Sequence, residues 1–132
     1  MASIFTRIIN GEIPCYKVAE NEDFIAFLDI NPLREGHTLV VPKEEVDYIF
    51  DLEDNQLERM IVFSKKVAKA IESIIPCSRI GVSVIGLEVP HTHVHLIPLD
   101  ELEDMNFSRN RAIISREKYE ELAQKISDSF LS

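Results

Sequence analysis

The segment "CYKVAENEDFIAFLDI", Cys15 to Ile30, constrains the fold more than any other stretch of the chain. Two runs, "CYKVAEN" ending at Asn21 and "DFIAFLDI", the second rich in aromatic and β-branched residues, meet at the polar connection "ENED". Such residues suit a pleated, half-buried surface. A connection this short turns the chain back beside itself, whereas parallel strands need a crossover of a dozen or more residues. The sheet therefore begins as an antiparallel hairpin. A third strand, "TLVVP", follows the loop "NPLREGH", which is built on Asn31-Pro32 and Gly36.

Around these strands the apolar period changes to that of a helix. Ile4, Phe5, Ile8 and Ile9 recur at spacings of three and four, with Ser3 as N-cap and Asn10-Gly11 as the stop. "DLEDNQLERMIVFSKKVAKAIESII", ended by Pro76, is the longest predicted helix. Its apolar stripe is Leu57, Met60, Ile61, Val67, Ala68, Ile71 and Ile74, and Asp51 and Asp54 place negative charge at its start. "RIGVSVIG" and "HTHVHLIP" read as the fourth and fifth strands. The unbroken apolar run in "VSVIG" predicts a strand buried on both faces. "SREKYEELAQKISDSFL" closes the chain as an amphipathic helix capped by Ser115. The order α-β-β-β-α-β-β-α predicts an α+β fold, with a five-stranded antiparallel sheet and the helices on one side. Residues 1–132 read as a single domain, long enough to bury a core without disulfides or metal.

Charge and cysteine usage narrow the function. A formal net charge of −9 argues against binding nucleic acid through its phosphates, which needs a basic face. Small anionic substrates remain open, because a local positive field can sit inside an acidic surface. Cys15 and Cys77 show no metal spacing and read as free thiols of a reducing compartment. No basic leader and no apolar run of about 18 residues is visible. The expectation is a cytoplasmic chain with no membrane partner.

Four histidines occur, and three of them, His91, His93 and His95, alternate within "VPHTHVHLIPLD". Alternation on a strand points all three one way, about 6.5–7 Å apart, with Val94 and Leu96 turned to the core. Pro90 and Pro98 bracket the paired region. Three readings fit: a solvated strand face, a zinc site using His-x-His, or catalysis by the imidazoles themselves. Spacing alone does not separate the last two.

His91-Thr92-His93-Val94-His95-Leu96-Ile97 resembles the signature of the histidine triad nucleotide hydrolases and transferases. Thr92 stands where the family usually has an apolar residue. "IFTRIINGEIPCYKV" and "FIAFLDINPLREGHTLVVPK" resemble further family blocks, so the likeness covers most of Ile4 to Pro98. The resemblance implies a reaction at the α-phosphate of a nucleotide. His93 would attack, forming a nucleotidyl-histidine that water then hydrolyses. The backbone carbonyl of His91 would tether the ring of His93. His95 would hold the phosphate, with His95 or His37 relaying a proton to the leaving group. His37 is expected to pack against His91.

The resemblance also implies a nucleoside pocket: Ile4, Phe5, Ile8, Phe27, Leu28 and Ile30 against the base, and Asp29 on the ribose hydroxyls. Alternation puts Phe27 and Asp29 on one face. Gly86 would offer its N–H to phosphate. Leu87 and Glu88 stand where many relatives have Gln-Ser/Thr; Glu88 pointing inward is unfavourable beside an anion, so it either turns outward or selects a cationic amine as leaving group. Many relatives carry Cys-x-x-Cys and a zinc ion at the first helix. Ser3 and Thr6 stand there, so no structural metal and no cofactor is expected. The substrate implied is a purine nucleoside 5′-phosphoramidate, with dinucleoside polyphosphates or binding without turnover as alternatives. The implied assembly is a homodimer with an extended sheet.

Overall fold

A computed structural model describes residues 2–131. Helix α1 is Ile4–Ile9, and strands β1 and β2 are Lys17–Glu20 and Phe24–Leu28. Strand β3 is Thr38–Pro42, helix α2 is Asp54–Ile74, strands β4 and β5 are Arg79–Ser83 and Val94–Leu99, and helix α3 is Arg116–Leu131. The strands form one antiparallel sheet in the order β1-β2-β3-β5-β4. The expected α+β class and five-stranded sheet are therefore present. The β1–β2 turn is set by Asn21, whose Oδ1 accepts the N–H groups of Asp23 (2.9 Å) and Phe24 (2.8 Å).

Strand alternation sorts the core into two layers. Phe24, Ala26, Leu28, Val40, Val94 and Leu96 meet α2 and α3 on one face. Ile25, Phe27, Leu39 and Val41 meet Phe5 of α1 on the other. The expectation of all helices on one side is thus corrected. The fully buried β2 and β3 present apolar side chains on both faces, and α1 covers the second.

Several boundaries also differ. Asp51 lies in a separate 3-10 turn, Ile49–Asp51, before α2. In α2 the stripe is right at Met60, Val67 and Ile71, but Ile61 is exposed and Phe63, Ser64 and Ala70 are buried instead. "VSVIG" is not a doubly buried strand. β4 ends at Ser83 on the edge of the sheet, and Val82, Val84 and Ile85 are exposed. An edge strand has a neighbour on one side only, so apolar composition there is not a mark of burial. Pro98 lies inside β5, opposite Ile80, beyond the reach of β3. Among the described residues no helix is long and apolar enough to cross a membrane.

Candidate functional site

β5 begins only at Val94, so His91 and His93 lie on the extended segment leading into it. Their stretch is satisfied by loops rather than by a strand. Thr92 N–H donates to the Val46 carbonyl (2.7 Å) and His91 N–H to the Val89 carbonyl (2.8 Å). The direction of the side chains survives this change: Val94 and Leu96 enter the helix-side core, and all three histidines are buried.

Hydrogen-bond partners that can only donate or only accept assign the protons on the four rings. His93 Nδ1 lies 2.8 Å from the His91 carbonyl, an acceptor, so Nδ1 carries a proton and donates it. The neutral ring then has Nε2 bare. His91 Nε2 lies 2.8 Å from the Pro42 carbonyl and also donates. His91 Nδ1 is then an acceptor for the Ser3 hydroxyl at 2.6 Å. Burial holds the pKa of His91 below its usual value, in keeping with a neutral ring.

The other pair is fixed from the backbone. Leu33 N–H donates to His37 Nδ1 (2.9 Å), which leaves the proton of neutral His37 on Nε2. That proton is donated to His95 Nδ1 at 3.0 Å, so His95 Nε2 bears a hydrogen. Burial pushes the pKa values of both rings down to about 3, helped at His37 by Arg111 and at His95 by His37 and His93. His37 therefore meets His95 and not His91, correcting the sequence expectation. In the β3–β5 register Leu39 is opposite His95, and His37, two residues earlier, shares that face.

Asp29 Oδ2 stands 3.4 Å from His37 Nε2, while Oδ1 accepts the Asn31 N–H at 2.8 Å. Asp29, His37 and His95 bring possible metal-ligand atoms within 4.8 Å of one another. The proton order does not suit an ion. Nε2 of His37, the nitrogen facing the cluster, keeps its hydrogen while Leu33 N–H occupies Nδ1. A metal ligand needs that nitrogen bare.

One cleft of about 390 Å³ joins these groups. It is lined by Ile4, Phe5, Ile8, Phe27, Leu28, Asp29, Ile30, Gly86, Glu88, His93 and His95 among the residues singled out from the sequence. Phe5 sets its ring 5.0 Å from that of His93 and 5.8 Å from that of Phe27. Leu28 borders the cleft, but it is buried in the helix-side core, where alternation from Phe27 sends its side chain. Ile4 and Ile30 are exposed rim residues. Gly86 has φ +75°, a backbone conformation that favours glycine. His91 and His37 stand behind the cleft rather than in its lining.

Phe107 and Arg111 are among the lining residues not singled out from the sequence. Phe107 packs edge-on against His95 with centroids 4.9 Å apart. Arg111 lies over the Phe107 ring and donates to the carbonyls of Asn31 (2.9 Å) and Phe107 (3.2 Å). Both belong to the irregular stretch before α3, which carries no periodic signal. Only the charge of Arg111, in an acidic chain, hinted at a site role.

The sequence profile of the HIT domain matches residues 10–102. An uncharacterized HIT-like protein of Borreliella burgdorferi is 40% identical over 132 residues, covering 94% of this chain and 95% of its own. Adenosine 5′-monophosphoramidase hnt1 of Schizosaccharomyces pombe is 40% identical over 100 residues, 74% of either chain. The crystal structure of a Hit-like protein involved in cell-cycle regulation from Bartonella henselae superposes with a TM-score of 0.83 at 35% identity, covering 96% of this chain and 95% of that one. The chain belongs to the HIT domain family, the histidine triad nucleotide hydrolases and transferases.

Proposed function

We propose that the chain hydrolyses purine nucleoside 5′-phosphoramidates through a nucleotidyl intermediate on His93. The observation that carries this reading is the His93 Nδ1–H bond to the His91 carbonyl, which leaves Nε2 bare beside the cleft. An imidazole nucleophile needs one nitrogen free and the other tethered. Nε2 attacks the α-phosphorus as the bond to the leaving nitrogen breaks; that nitrogen, protonated in the bound phosphoramidate, departs as the neutral amine, and water later cleaves the P–N bond to His93, its proton passing to solvent. The nucleoside monophosphate is released and His93 is restored.

His95 acts as a neutral donor, its Nε2–H directed to the phosphate oxygens. Its other nitrogen receives a proton from His37, and that chain ends at the Leu33 peptide N–H, which gives up no proton. The pair therefore suits holding a phosphate better than relaying a proton. Asp29 accepts the ribose hydroxyls and Phe5, Ile8 and Phe27 flank the base. The S. pombe phosphoramidase supports the choice of leaving group, and so does Glu88 at the cleft, whose carboxylate suits a cationic amine.

Arg111 in the same lining favours a second reading, an anionic leaving group such as the distal half of a dinucleoside polyphosphate. Incubation with a panel of both substrate classes decides between them. Phosphoramidate turnover with adduct on His93 supports the first, selective turnover of dinucleotides the second, and neither turnover nor adduct a binding module. A Glu88→Ser variant with an unchanged preference between amine and phosphate leaving groups removes the role given to Glu88.

The unpaired edge of β4, with Val82, Val84 and Ile85 exposed, supports a homodimer that continues the sheet across two copies. Light scattering on the purified chain tests it, and a monomer at tens of micromolar would contradict it.

A further inference from the structure

Ser3 and Thr6 stand where many relatives hold a zinc ion with Cys-x-x-Cys, and both face His91. Three oxygens approach His91 Nδ1: Ser3 Oγ at 2.6 Å, Thr6 Oγ1 at 3.4 Å and Glu45 Oε1 at 3.9 Å. Two of them are neutral hydroxyls, whereas zinc is held by thiolates, imidazoles and carboxylates. The Ser3 hydroxyl also occupies the His91 nitrogen that would have to face an ion. These residues do not fit zinc.

They form instead a closed set of hydrogen bonds. Glu45 Oε1 accepts the backbone N–H of Ser3 (2.7 Å) and the hydroxyl of Thr6 (2.6 Å). Ser3 Oγ accepts the Thr6 N–H (3.1 Å), as the N-cap of α1, and donates to His91. The opposite nitrogen of His91 donates to the Pro42 carbonyl. The ring of His91 is thereby held at both ends, 0% exposed, and its own carbonyl receives the proton of His93. The same bonds seat α1, and with it the Phe5 ring beside His93.

We infer that Ser3, Thr6 and Glu45 form a metal-free clasp that positions His91 and, through its carbonyl, sets the attacking tautomer of His93. Glu45 is the positioning residue of the clasp: it lies 42 and 39 residues from its two donors and ties the start of α1 to the loop after β3. The catalytic part of this inference rests on the role given above to His93. The structural part does not.

The test uses imidazole ¹⁵N NMR of the full chain, with steady-state kinetics on a nucleoside phosphoramidate. In the wild type His93 is expected to carry its proton on Nδ1 and His91 on Nε2. Glu45→Ala and Ser3→Ala are expected to mix the His93 tautomers and lower kcat by about tenfold or more, since a small misplacement of reacting groups is costly. KM is expected to stay within about threefold, because uniform substrate binding is not the property removed. Glu45→Gln, whose amide oxygen accepts the same two bonds, is expected to recover much of the loss. Thr6→Val serves as the milder variant if Ser3→Ala does not fold. Zinc chloride added to the chain is expected to leave His91 Nδ1 unchanged. Variants that fold normally with unaltered tautomers, or zinc seated on His91 Nδ1, overturn the clasp. A wild type with the expected tautomers but no turnover overturns the proposed function and leaves the clasp standing.

Discussion

His37 donates its Nε2 proton to His95 Nδ1 across 3.0 Å, and the Leu33 peptide N–H fixes the direction of that bond. His95 is consequently a neutral donor toward the cleft. His95→Phe is expected to slow adduct formation by about a hundredfold, the usual cost of removing a donor to a developing oxyanion. The loss should be similar for alkylamine and nitrophenolate leaving groups. A loss confined to the amine, measured in single-turnover reactions, would make His95 a general acid instead.

The same two rings give the fold a pH dependence. Folded, each stays neutral down to about pH 3; unfolded, each protonates below its ordinary value of 6.5. Between those values the unfolded chain binds more protons, so stability falls as the pH is lowered. The slope is up to about 1.4 kcal/mol per pH unit for each histidine. Urea denaturation at pH 7, 6 and 5 should show this decline, and His37→Phe should flatten it. A stability constant from pH 7 to 5 would contradict buried neutral rings.

Asp29 has Oδ1 engaged by the Asn31 N–H and Oδ2 beside His37, at the edge of the cleft. Asp29→Ala is expected to raise KM for ribonucleotide substrates by about ten- to a hundredfold, the range for hydrogen bonds to a charged group. A 2′,3′-dideoxy substrate should bind both proteins alike. Equal weakening of the two substrates would remove the ribose role.

Much of this was legible in the chain, for physical reasons that differ by element. The hairpin and the triad rest on local period and turn chemistry, so "CYKVAENEDFIAFLDI" and the direction of His91, His93 and His95 could be read directly. Alternation also separated Phe27 and Asp29 from Leu28, yet the resemblance still placed Leu28 against the base. Edge position is a property of strand order, and local composition does not encode it, which is why "VSVIG" read as buried. The His37–His95 pair depends on β3–β5 register and on a Leu33 amide, neither visible in residue types. Phe107, Arg111 and Glu45 reach the site from irregular segments across long sequence separations, where no period marks them.

Gly36 shows how tightly the loop behind the site is held. Its φ is +91°, and an added Cβ would lie 2.9 Å from Ile75 Cγ1 and 3.0 Å from Pro98 Cγ. Gly36→Ala should destabilise the chain by about 1–3 kcal/mol, from backbone strain with some crowding. Thermal unfolding measures this, and an unchanged midpoint would show that the loop relaxes freely. Because Gly36 adjoins His37, the loss should be accompanied by altered His95 ¹⁵N shifts.

Every other role proposed at the site depends on His93 being the nucleophile. Rapid quench of the chain with an adenosine 5′-phosphoramidate in alkaline denaturant, followed by peptide mass spectrometry at a pH that preserves phosphohistidine-type bonds, measures it. The result predicted is a mass increase of one adenylyl group on His93 that forms and decays at rates compatible with turnover, and is absent in His93→Ala. Turnover without that adduct, or an adduct on another residue, would contradict it.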